Sequence, residues 1–426
     1  MTTSDGRPDR HSVAVPDMLA TALTDCDEYR LMQPHGEALV VNQPRLVSEV
    51  LVTEAQRYSK GPLQESMFSA LLGRSVSMVE GKEHRALRRL LSPLFTRESA
   101  RRSLPTILSV FHAHRRQWSG AEPVNLFAVL NELSVRTVGA TLIDEPDLWG
   151  EGEFCEARCR LWARMNELAT TTSDATATAG TDHAIRVDRD IETIRSKVGS
   201  MFERRLRNPR GDTLTALTSL ALAGHITREA VIDQIIALMM AAHETNAGAL
   251  YWSLVGLSRD GHWASRAVAQ ADAVLGERRP APTDIDALTV IRAVALEALR
   301  LYPPAARQFR VTTADGILGD QPLSSGSAVF ISHLALHRRT SLYSEPQQFN
   351  PDRWLSGPSP GPDAFIPFGR GRHRCLGRHY AEFELVTLLA LITQHYEVEL
   401  SGANDKLALA IALRPAEPTW ASLIAR

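Results

Sequence analysis

The segment Phe368–Gly377 reads FGRGRHRCLG and places Cys375 between a glycine-bearing turn and a long apolar helical stretch. Gly369 and Gly371 permit a tight turn whose backbone can lie close to a flat ligand. The free N–H groups and the positive dipole end of the following helix face the sulfur, which favours thiolate over thiol. A thiolate suits a soft transition metal better than Mg²⁺ or Ca²⁺. Because a lone cysteine is more often a buried structural residue, the surrounding motifs must decide between the two interpretations.

Length and composition narrow the protein class. The 426 residues are 44% hydrophobic, enough for a large core, and no Gly/Ser-rich or Pro-rich linker divides them. We therefore expect one domain over residues 1–426, with residues 1–30 loosely ordered. A net charge of −2 gives no indication of nucleic-acid binding. Four cysteines fit a reducing, cytoplasmic setting. We see no signal peptide and no apolar stretch approaching the roughly 18 residues of a membrane span, so we expect no membrane partner.

Helical periodicity dominates the chain and predicts a mainly α fold with small β-sheets. The predicted helices are Pro44–Tyr58, Glu83–Phe95, Glu98–Trp118, Leu126–Leu142, Glu153–Ala169, His183–Arg207, Arg228–Ser258, Trp263–Leu275, Val290–Leu301 and Arg378–His395. The predicted strands are Ala38–Val41, Arg310–Thr313, Ala328–Ser332 and Tyr396–Leu400. Two connecting segments stand out, Lys60–Glu80 and the low-complexity Thr170–Thr181. The second is either a solvated loop or a mobile lid over a pocket.

A carboxylate and two guanidinium groups occur on or near an apolar helix. Glu297 and Arg300 lie at i, i+3, and Arg353 follows in FNPDRW, residues 349–354. Such a pair is usually solvated, but its apolar surroundings predict half burial, and buried charges need partners.

An acid and an alcohol stand side by side in the middle of another predicted helix. Residues 241–246 read AAHETN, and Thr245 can bond to a carbonyl one turn earlier and bend the helix. From this segment alone, a solvated polar face and a functional pair both stay open.

Together these motifs, in this order, resemble the cytochrome P450 family from about Pro44 to the C-terminus. The decisive pattern is Phe-x-x-Gly-x-x-x-Cys-x-Gly at Phe368–Gly377. The resemblance implies a mainly α fold shaped as a triangular prism. Haem b would lie between the predicted helix Arg228–Ser258, on the oxygen side, and the predicted helix Arg378–His395, on the cysteine side. Cys375 would be the iron ligand, donating electron density that favours O–O cleavage. The implied haem-contacting residues around it are Phe368, Gly369, Gly377, Ala241 and Ala242.

The same resemblance gives roles to the charged motifs. Glu244 and Thr245 are similar to the pair that delivers protons to iron-bound oxygen, with Thr245 on the oxygen side and Glu244 relaying protons from solvent. His243 stands at a variable position, so we do not expect it to bind a metal. The set of Glu297, Arg300 and Arg353 resembles the buried structural network behind the haem. Trp354 stands where the family often has Phe, a departure from which we expect little consequence.

Haem carries two carboxylates, which need cationic donors. His84 and Arg88, at i, i+4 on one helix face, resemble the family's propionate-binding helix. Arg310 and His373 match the other two family positions.

The resemblance also implies electrons from NAD(P)H through a separate partner, since no flavin or iron–sulfur segment is fused. A cluster of arginines near the cysteine would steer an acidic donor such as a ferredoxin. These are Arg85, Arg89, Arg370, Arg372, Arg374 and Arg378. An ordinary solvated arginine-rich surface is the alternative. We expect a monomer.

By family analogy the substrate pocket is mainly apolar and takes a hydrophobic small molecule. It would draw on the segments Lys60–Glu80, Thr170–Thr181 and Pro304–Phe309. Its expected residues are Met67, Phe68, Leu72, Val76, Met78, Leu238, Ala305 and Ala306. The implied activity is monooxygenation. The leading interpretation is hydroxylation of a hydrophobic small molecule in secondary metabolism. Desaturation, coupling or rearrangement on the same scaffold is the first alternative. A haem-binding sensor or carrier without turnover is the second, and the acid–alcohol pair argues against it.

Overall fold

Fifteen α-helices and twelve strands make up the part of the chain that the computed structural model describes, which confirms the predicted mainly α class. The described residues are 28–33, 36–118, 122–145, 152–170, 181–356, 360–402, 406–409 and 411–426. Residues 171–180, where a loop or lid was expected, lie outside them, as do residues 1–27. The side chain of Met67 is also outside the described part.

The helices follow the predicted order, with several additions. Their bounds are Pro44–Ser48, Gly61–Leu72, Gly81–Leu91, Arg97–Arg102, Leu104–His114, Leu126–Ile143, Glu153–Thr170, Thr181–Arg207, Thr213–Leu222, Arg228–Arg259, Gly261–Leu275, Pro282–Ala287, Thr289–Leu301, His333–Leu336 and Arg378–His395. We call Arg228–Arg259 the central helix and Arg378–His395 the C-terminal helix. The segment Lys60–Glu80 was expected to be a connection. It contains the helix Gly61–Leu72, which has Pro62 in its first turn and ends before Gly73, whose φ of 49° breaks the helical path.

Three of the predicted helices are interrupted. Glu83–Phe95 continues past Leu91 as a 3₁₀ turn, Ser92–Phe95. Pro44–Tyr58 continues past Ser48 as a π-helical turn, Glu49–Thr53, and a 3₁₀ turn, Ala55–Arg57. Glu98–Trp118 breaks at Ser103 because Pro105 follows within the first turn of the next helix, where its missing N–H costs nothing.

The strands form four small sheets. They are β1 (Glu28–Gln33), β2 (Gly36–Val41), β3 (Tyr58–Ser59), β4 (Val124–Asn125), β5 (Arg307–Thr312), β6 (Gly316–Leu318), β7 (Gln321–Leu323), β8 (Ala328–Ser332), β9 (Tyr396–Ser401), β10 (Leu407–Leu409), β11 (Leu413–Pro415) and β12 (Trp420–Ala425). The largest sheet has the order β1-β2-β8-β5-β3, and only its β2–β8 pair is parallel. β5 begins three residues earlier than predicted, so Arg307 pairs with Ser332 inside the sheet.

The central helix is buried along most of its length and carries the core. It packs against Leu126–Ile143, Thr289–Leu301 and the C-terminal helix. Trp252 on it is fully buried and stacks on Tyr302, with ring centroids 4.0 Å apart. A helix that is apolar on nearly all sides is expected at the centre of a large helical protein.

The helix Leu126–Ile143 corrects one expectation. It is 18 residues long and apolar enough, by length and composition, to cross a membrane, whereas we expected no such stretch. It packs against the central helix with 61% of that window buried, so its apolar surface is satisfied inside the protein. No other helix among the described residues meets the same test.

Candidate active site

The cysteine loop is shaped by two glycines in the left-handed region. Gly369 has φ 70° and Gly371 has φ 67°, and a Cβ at Gly371 would overlap the carbonyl oxygen of Leu51. Only glycine adopts such a backbone without strain at so close an approach. The loop is closed by the Cys375 N–H, which donates to the Phe368 carbonyl at 2.8 Å. Cys375 therefore stands at a defined point, three residues before the C-terminal helix begins.

The Cys375 thiol opens onto an internal cavity of about 490 Å³. Its depth in the protein raises the pKa of the thiol, while the backbone of Gly377 and the guanidinium of Arg88 act in the opposite direction. Desolvation thus exceeds the helix-end contribution on which the sequence argument relied. A positive centre beside the sulfur, such as a metal ion, would supply the missing stabilisation of the thiolate.

The central helix forms the wall of the cavity across from the cysteine loop. Ala241, Ala242 and Thr245 line the cavity, as do Phe368 and Gly369 from the loop. The Thr245 hydroxyl donates to the Ala241 carbonyl at 3.0 Å and the Ala242 carbonyl at 3.3 Å. This is the back-bond to the preceding turn that the sequence predicts.

Glu244 leaves the same helix in another direction from Thr245. Its side chain is 5% exposed, accepts from Trp162 Nε1 at 2.9 Å and lies 3.6 Å from Nη1 of Arg414. Burial raises the pKa of Glu244, and Arg414 and Trp162 counteract that rise. Arg414 is itself 37% exposed, so the Glu244 carboxylate joins the buried helix to a group in contact with solvent.

His243 is buried against protein, as expected. Its Nδ1 lies 3.3 Å from the Met239 carbonyl, and its ring meets Trp162 at 5.0 Å between centroids. Cys155 and Cys159 lie on either side of Arg158, and among the described residues no group of three His, Cys, Asp or Glu could hold a metal ion.

Two histidines meet at one end of the cavity. The rings of His84 and His373 are 4.1 Å apart, and both residues line the cavity. Burial, together with the neighbouring His373, Lys60 and Arg88, lowers the pKa of His84 to about 4. His373 Nε2 lies 3.2 Å from Glu80 Oε2, a contact that the sequence argument did not foresee. His84 Nδ1 is buried, and no described residue forms a hydrogen bond with it.

The expected cationic donors are in place, but their present partners are carbonyls. Arg88 donates to the carbonyls of Arg374 at 2.6 Å and Cys375 at 3.4 Å, so it braces the cysteine loop directly. Arg310 is 7% exposed and donates to the carbonyl of Phe309 at 2.7 Å. A buried guanidinium without a bonded carboxylate is costly. The cavity therefore fits a flat group with carboxylates at the Arg310 end and a metal at the Cys375 end.

The Glu297 network lies behind the cysteine loop. Its Glu297–Arg300 pair is fully buried, whereas half burial was expected, and Arg353 is 12% exposed. Arg300 Nη2 and Nε donate to the two Glu297 oxygens at 2.8 and 2.9 Å. Arg353 Nε donates to Glu297 at 3.2 Å. Trp354 also takes part, because its Nε1 donates to Glu297 at 2.9 Å; the expectation that this residue has little consequence is wrong.

Arg300 connects this network to the loop. It donates to the carbonyl of His337 at 2.9 Å, and His337 Nε2 accepts from the backbone N–H of Ile366 at 2.9 Å. The Ile366 carbonyl in turn accepts from Gly369 at 2.9 Å. A short chain of buried hydrogen bonds thus runs from Glu297 to the turn that presents the cysteine.

Four of the six arginines assigned to the cysteine-side face are exposed. Arg85, Arg89, Arg374 and Arg378 are exposed to solvent. The other two differ. Arg370 pairs with Asp363 at 2.8 Å, and Arg372 turns inward to donate to the carbonyls of Ala55 and Tyr58.

The predicted pocket residues divide into two groups. Val76, Leu238 and Ala305 line the cavity. Ala306 does not, because it faces the other side of the chain and packs with Val40, Leu334 and Leu413. Phe68 and Leu72 pack against the core beside the central helix, and Met78 is not among the lining residues.

Sequence reasoning assigned the segments Lys60–Glu80 and Pro304–Phe309 to the pocket but named none of their polar residues. Lys60, Gln64, Ser77 and Arg307 line it. Lys60 donates to the carbonyls of Ser77 and Val79, and burial lowers the pKa of its ammonium to about 8. The helical period of Gly61–Leu72 could have placed Lys60 and Gln64 near the cavity, but the segment was treated as a connection.

A second buried acid, Glu384, lies next to the Glu244–Thr245 pair. Asn246 Nδ2 donates to Glu384 Oε2 at 2.6 Å, and Glu384 is fully buried on the C-terminal helix. Burial raises the pKa of Glu384 to about 8. The carboxyl is therefore mostly protonated at neutral pH, and it is bonded to Asn246, the residue that follows Thr245 on the central helix.

Comparison with known proteins identifies the family. A model of the cytochrome P450 family matches residues 26–419. The chain belongs to the cytochrome P450 family. Haem is the cofactor this family implies, and the cavity beside Cys375 has the donors to hold it.

The relatives of this P450 include bacterial oxygenases. The chain is 28% identical to cyclooctat-9-en-7-ol 5-monooxygenase of Streptomyces melanosporofaciens over 376 residues, covering 85% of this chain and 80% of the relative. It is 27% identical to cyclooctatin synthase of the same organism, covering 83% and 79%. It is 26% identical to pentalenene oxygenase of Streptomyces avermitilis, covering 88% and 85%. The P450 described here is an oxidoreductase of the monooxygenase class.

Proposed function

We propose that this P450 hydroxylates a hydrophobic small molecule in secondary metabolism, and that this substrate is a terpenoid. The relatives named for cyclooctat-9-en-7-ol and pentalenene support an alkene-derived carbon skeleton as substrate. The apolar cavity wall formed by Val76, Leu238 and Ala305 suits such a skeleton. Desaturation or coupling would use the same scaffold with the substrate held differently.

The observation that carries the proposal is the position of Cys375 opposite Ala241, Ala242 and Thr245 across one cavity. Haem b bound there supplies dioxygen activation, and Cys375 would hold its iron. His84, Arg88, Arg310 and His373 would hold its carboxylates. His84 and Arg310 fit that role because one has a buried nitrogen without a partner and the other is a buried cation.

Thr245 and Glu244 would divide proton delivery between them. Thr245 presents its hydroxyl to the cavity, and its bonds to Ala241 and Ala242 hold the oxygen in place for a hydrogen bond to the reacting group. Glu244, anchored by Trp162 and Arg414, would pass protons inward from the solvent-exposed side of Arg414. A haem carrier without turnover has no use for this arrangement.

Electrons would come from NAD(P)H through a ferredoxin or a similar acidic partner. The exposed arginines Arg85, Arg89, Arg374 and Arg378 lie around the helix and loop that hold Cys375, and would attract such a donor.

A carbon monoxide difference spectrum tests the proposal. We expect reduced wild-type protein to give a thiolate-type Soret shift with carbon monoxide, and Cys375→Ser to lose that shift. Far-UV circular dichroism of Cys375→Ser should match the wild type. Steady NAD(P)H consumption coupled to product with a generic ferredoxin pair would separate an enzyme from a carrier. A wild-type spectrum without the thiolate band would refute the assignment.

A further inference from the structure

One cationic side chain in the cavity has no use in the function proposed above. Arg307 lines the cavity at the start of β5. Within the described residues its side chain makes no hydrogen bond or ion pair, although its backbone pairs with Ser332 of β8. Its pKa is lowered by burial, and no neighbouring charge contributes to that shift. A guanidinium largely removed from water costs free energy unless an anion or several acceptors meet it.

The other cations of the cavity are already accounted for. Lys60 is held by the carbonyls of Ser77 and Val79 and lies beside Glu80. Arg88 holds the carbonyls of the cysteine loop, and Arg310 experiences the charge of Glu80. Under the proposed function, the haem carboxylates fall to the group that contains Arg88 and Arg310. Among the described residues that line the cavity there is no Asp or Glu.

Arg307 does not duplicate Arg310. The two residues are three apart on one strand, opposite Ser332 and Val329 of β8. Successive side chains of a strand alternate between its faces, so these two leave opposite faces of β5. Both faces of β5 border the cavity, because Gln308, Phe309 and Arg310 line it together with Arg307. Arg307 and Arg310 therefore reach the cavity from opposite faces of the strand.

We propose that Arg307 binds a carboxylate on the substrate, so that this enzyme takes an amphiphilic acid rather than a plain hydrocarbon or alcohol. The planar guanidinium fork matches a carboxylate through two parallel hydrogen bonds. The apolar residues Val76, Leu238 and Ala305 would hold the carbon skeleton. The bound carboxylate would also fix which carbon faces the reacting centre. This inference rests on the proposed function, because it places the substrate in the cavity beside Cys375.

The test uses probes anchored at the haem. Each probe is an ω-imidazolyl alkanoic acid of graded chain length, paired with the ω-imidazolyl alkanol of the same length. Imidazole binding to the iron moves the Soret band and reports affinity, and the graded tail lets the carboxylate reach Arg307 at some length. We expect the acid to bind at least about tenfold more tightly than its alcohol at one or more lengths, about 1.4 kcal/mol.

Variants assign that preference to one side chain. Arg307→Gln should bind acid and alcohol alike, and Arg307→Lys should keep part of the preference. The matched control is Arg279→Gln, which removes a guanidinium at an exposed position and should keep the full preference.

The outcomes separate the two proposals. If plain 1-butylimidazole gives no Soret shift with the wild type, the proposed haem function fails. If it shifts the band but acids and alcohols bind equally at every length, the Arg307 proposal is overturned and the haem function stands. Haem transfer to apomyoglobin tests whether Arg307 binds the haem carboxylates instead. If Arg307→Gln lost haem faster than both the wild type and Arg279→Gln, that result would also overturn the proposal.

Discussion

The burial of the Glu297 network predicts how much stability is lost when its carboxylate is removed. Glu297 and Arg300 are 0% exposed, and Glu297 also accepts from Arg353 and Trp354. Glu297→Gln keeps the shape but removes the only carboxylate shared by two guanidiniums in this network. Breaking a fully buried pair by removing one charge costs about 3–5 kcal/mol. That is a large part of the roughly 5–15 kcal/mol that stabilises a native protein.

The matched control is Glu203→Gln. Glu203 also bonds an arginine, Arg228, at 3.0 Å, but the two side chains are 46% and 44% exposed. Such a surface pair contributes at most about 1 kcal/mol, because water screens it. The comparison therefore holds the substitution and the arginine partner constant, while burial and the number of donors to the carboxylate differ.

Urea unfolding followed by circular dichroism and tryptophan fluorescence measures both variants. With a slope of about 3 kcal/mol per M, Glu297→Gln should unfold at a urea concentration lower by about 1 M or more. Glu203→Gln should stay close to the wild type. Equal midpoints for the two variants would refute the reasoning that burial makes this carboxylate costly to lose.

Three further predictions follow from the site. Glu244→Gln should lower kcat by about 100-fold by removing a proton donor, with ligand-binding spectra unchanged; an unaltered kcat would exclude Glu244 from proton delivery. Burial raises the pKa of Glu384 from 4.5 to about 8, so the folded protein keeps a proton that the unfolded chain releases, and this group makes stability fall as pH rises between those values. Glu384→Gln should flatten that fall in urea melts at pH 5 and pH 8, and an unchanged slope would contradict it. Added salt should slow the reduction of the wild type by a ferredoxin and should affect the double variant Arg85→Gln/Arg89→Gln less. The control Arg370→Gln, whose arginine pairs with Asp363, should resemble the wild type. A reduction rate that does not change with salt would count against the docking face.

Local pattern was sufficient for much of the fold. The bounds of the C-terminal helix and of β8 agree with the prediction, because each has a continuous apolar run with a clear end. The helix Gly61–Leu72 was missed, because its apolar residues were attributed to a loop over the pocket. β5 was predicted to start three residues too late, so Arg307 was not considered part of a strand that lines the cavity.

The environment of Cys375 shows where local reasoning is insufficient. Position and spacing within ten residues predicted both the turn and the helix start. The protonation of the thiol depends instead on everything packed around it, and burial outweighs the helix end. Desolvation is a property of the folded surroundings and has no signature in the neighbouring residues.

The sequence by itself determined the cysteine loop, the Glu297–Arg300 pair and the Glu244–Thr245 pair, because each depends on residues within one turn or one helix. Tertiary structure alone decided which distant groups complete them. Arg414 reaches Glu244 from β11, and Glu80 reaches His373 across most of the chain. Such contacts arise from how helices and strands pack, and packing depends on the shape of the whole core rather than on any short stretch of residues.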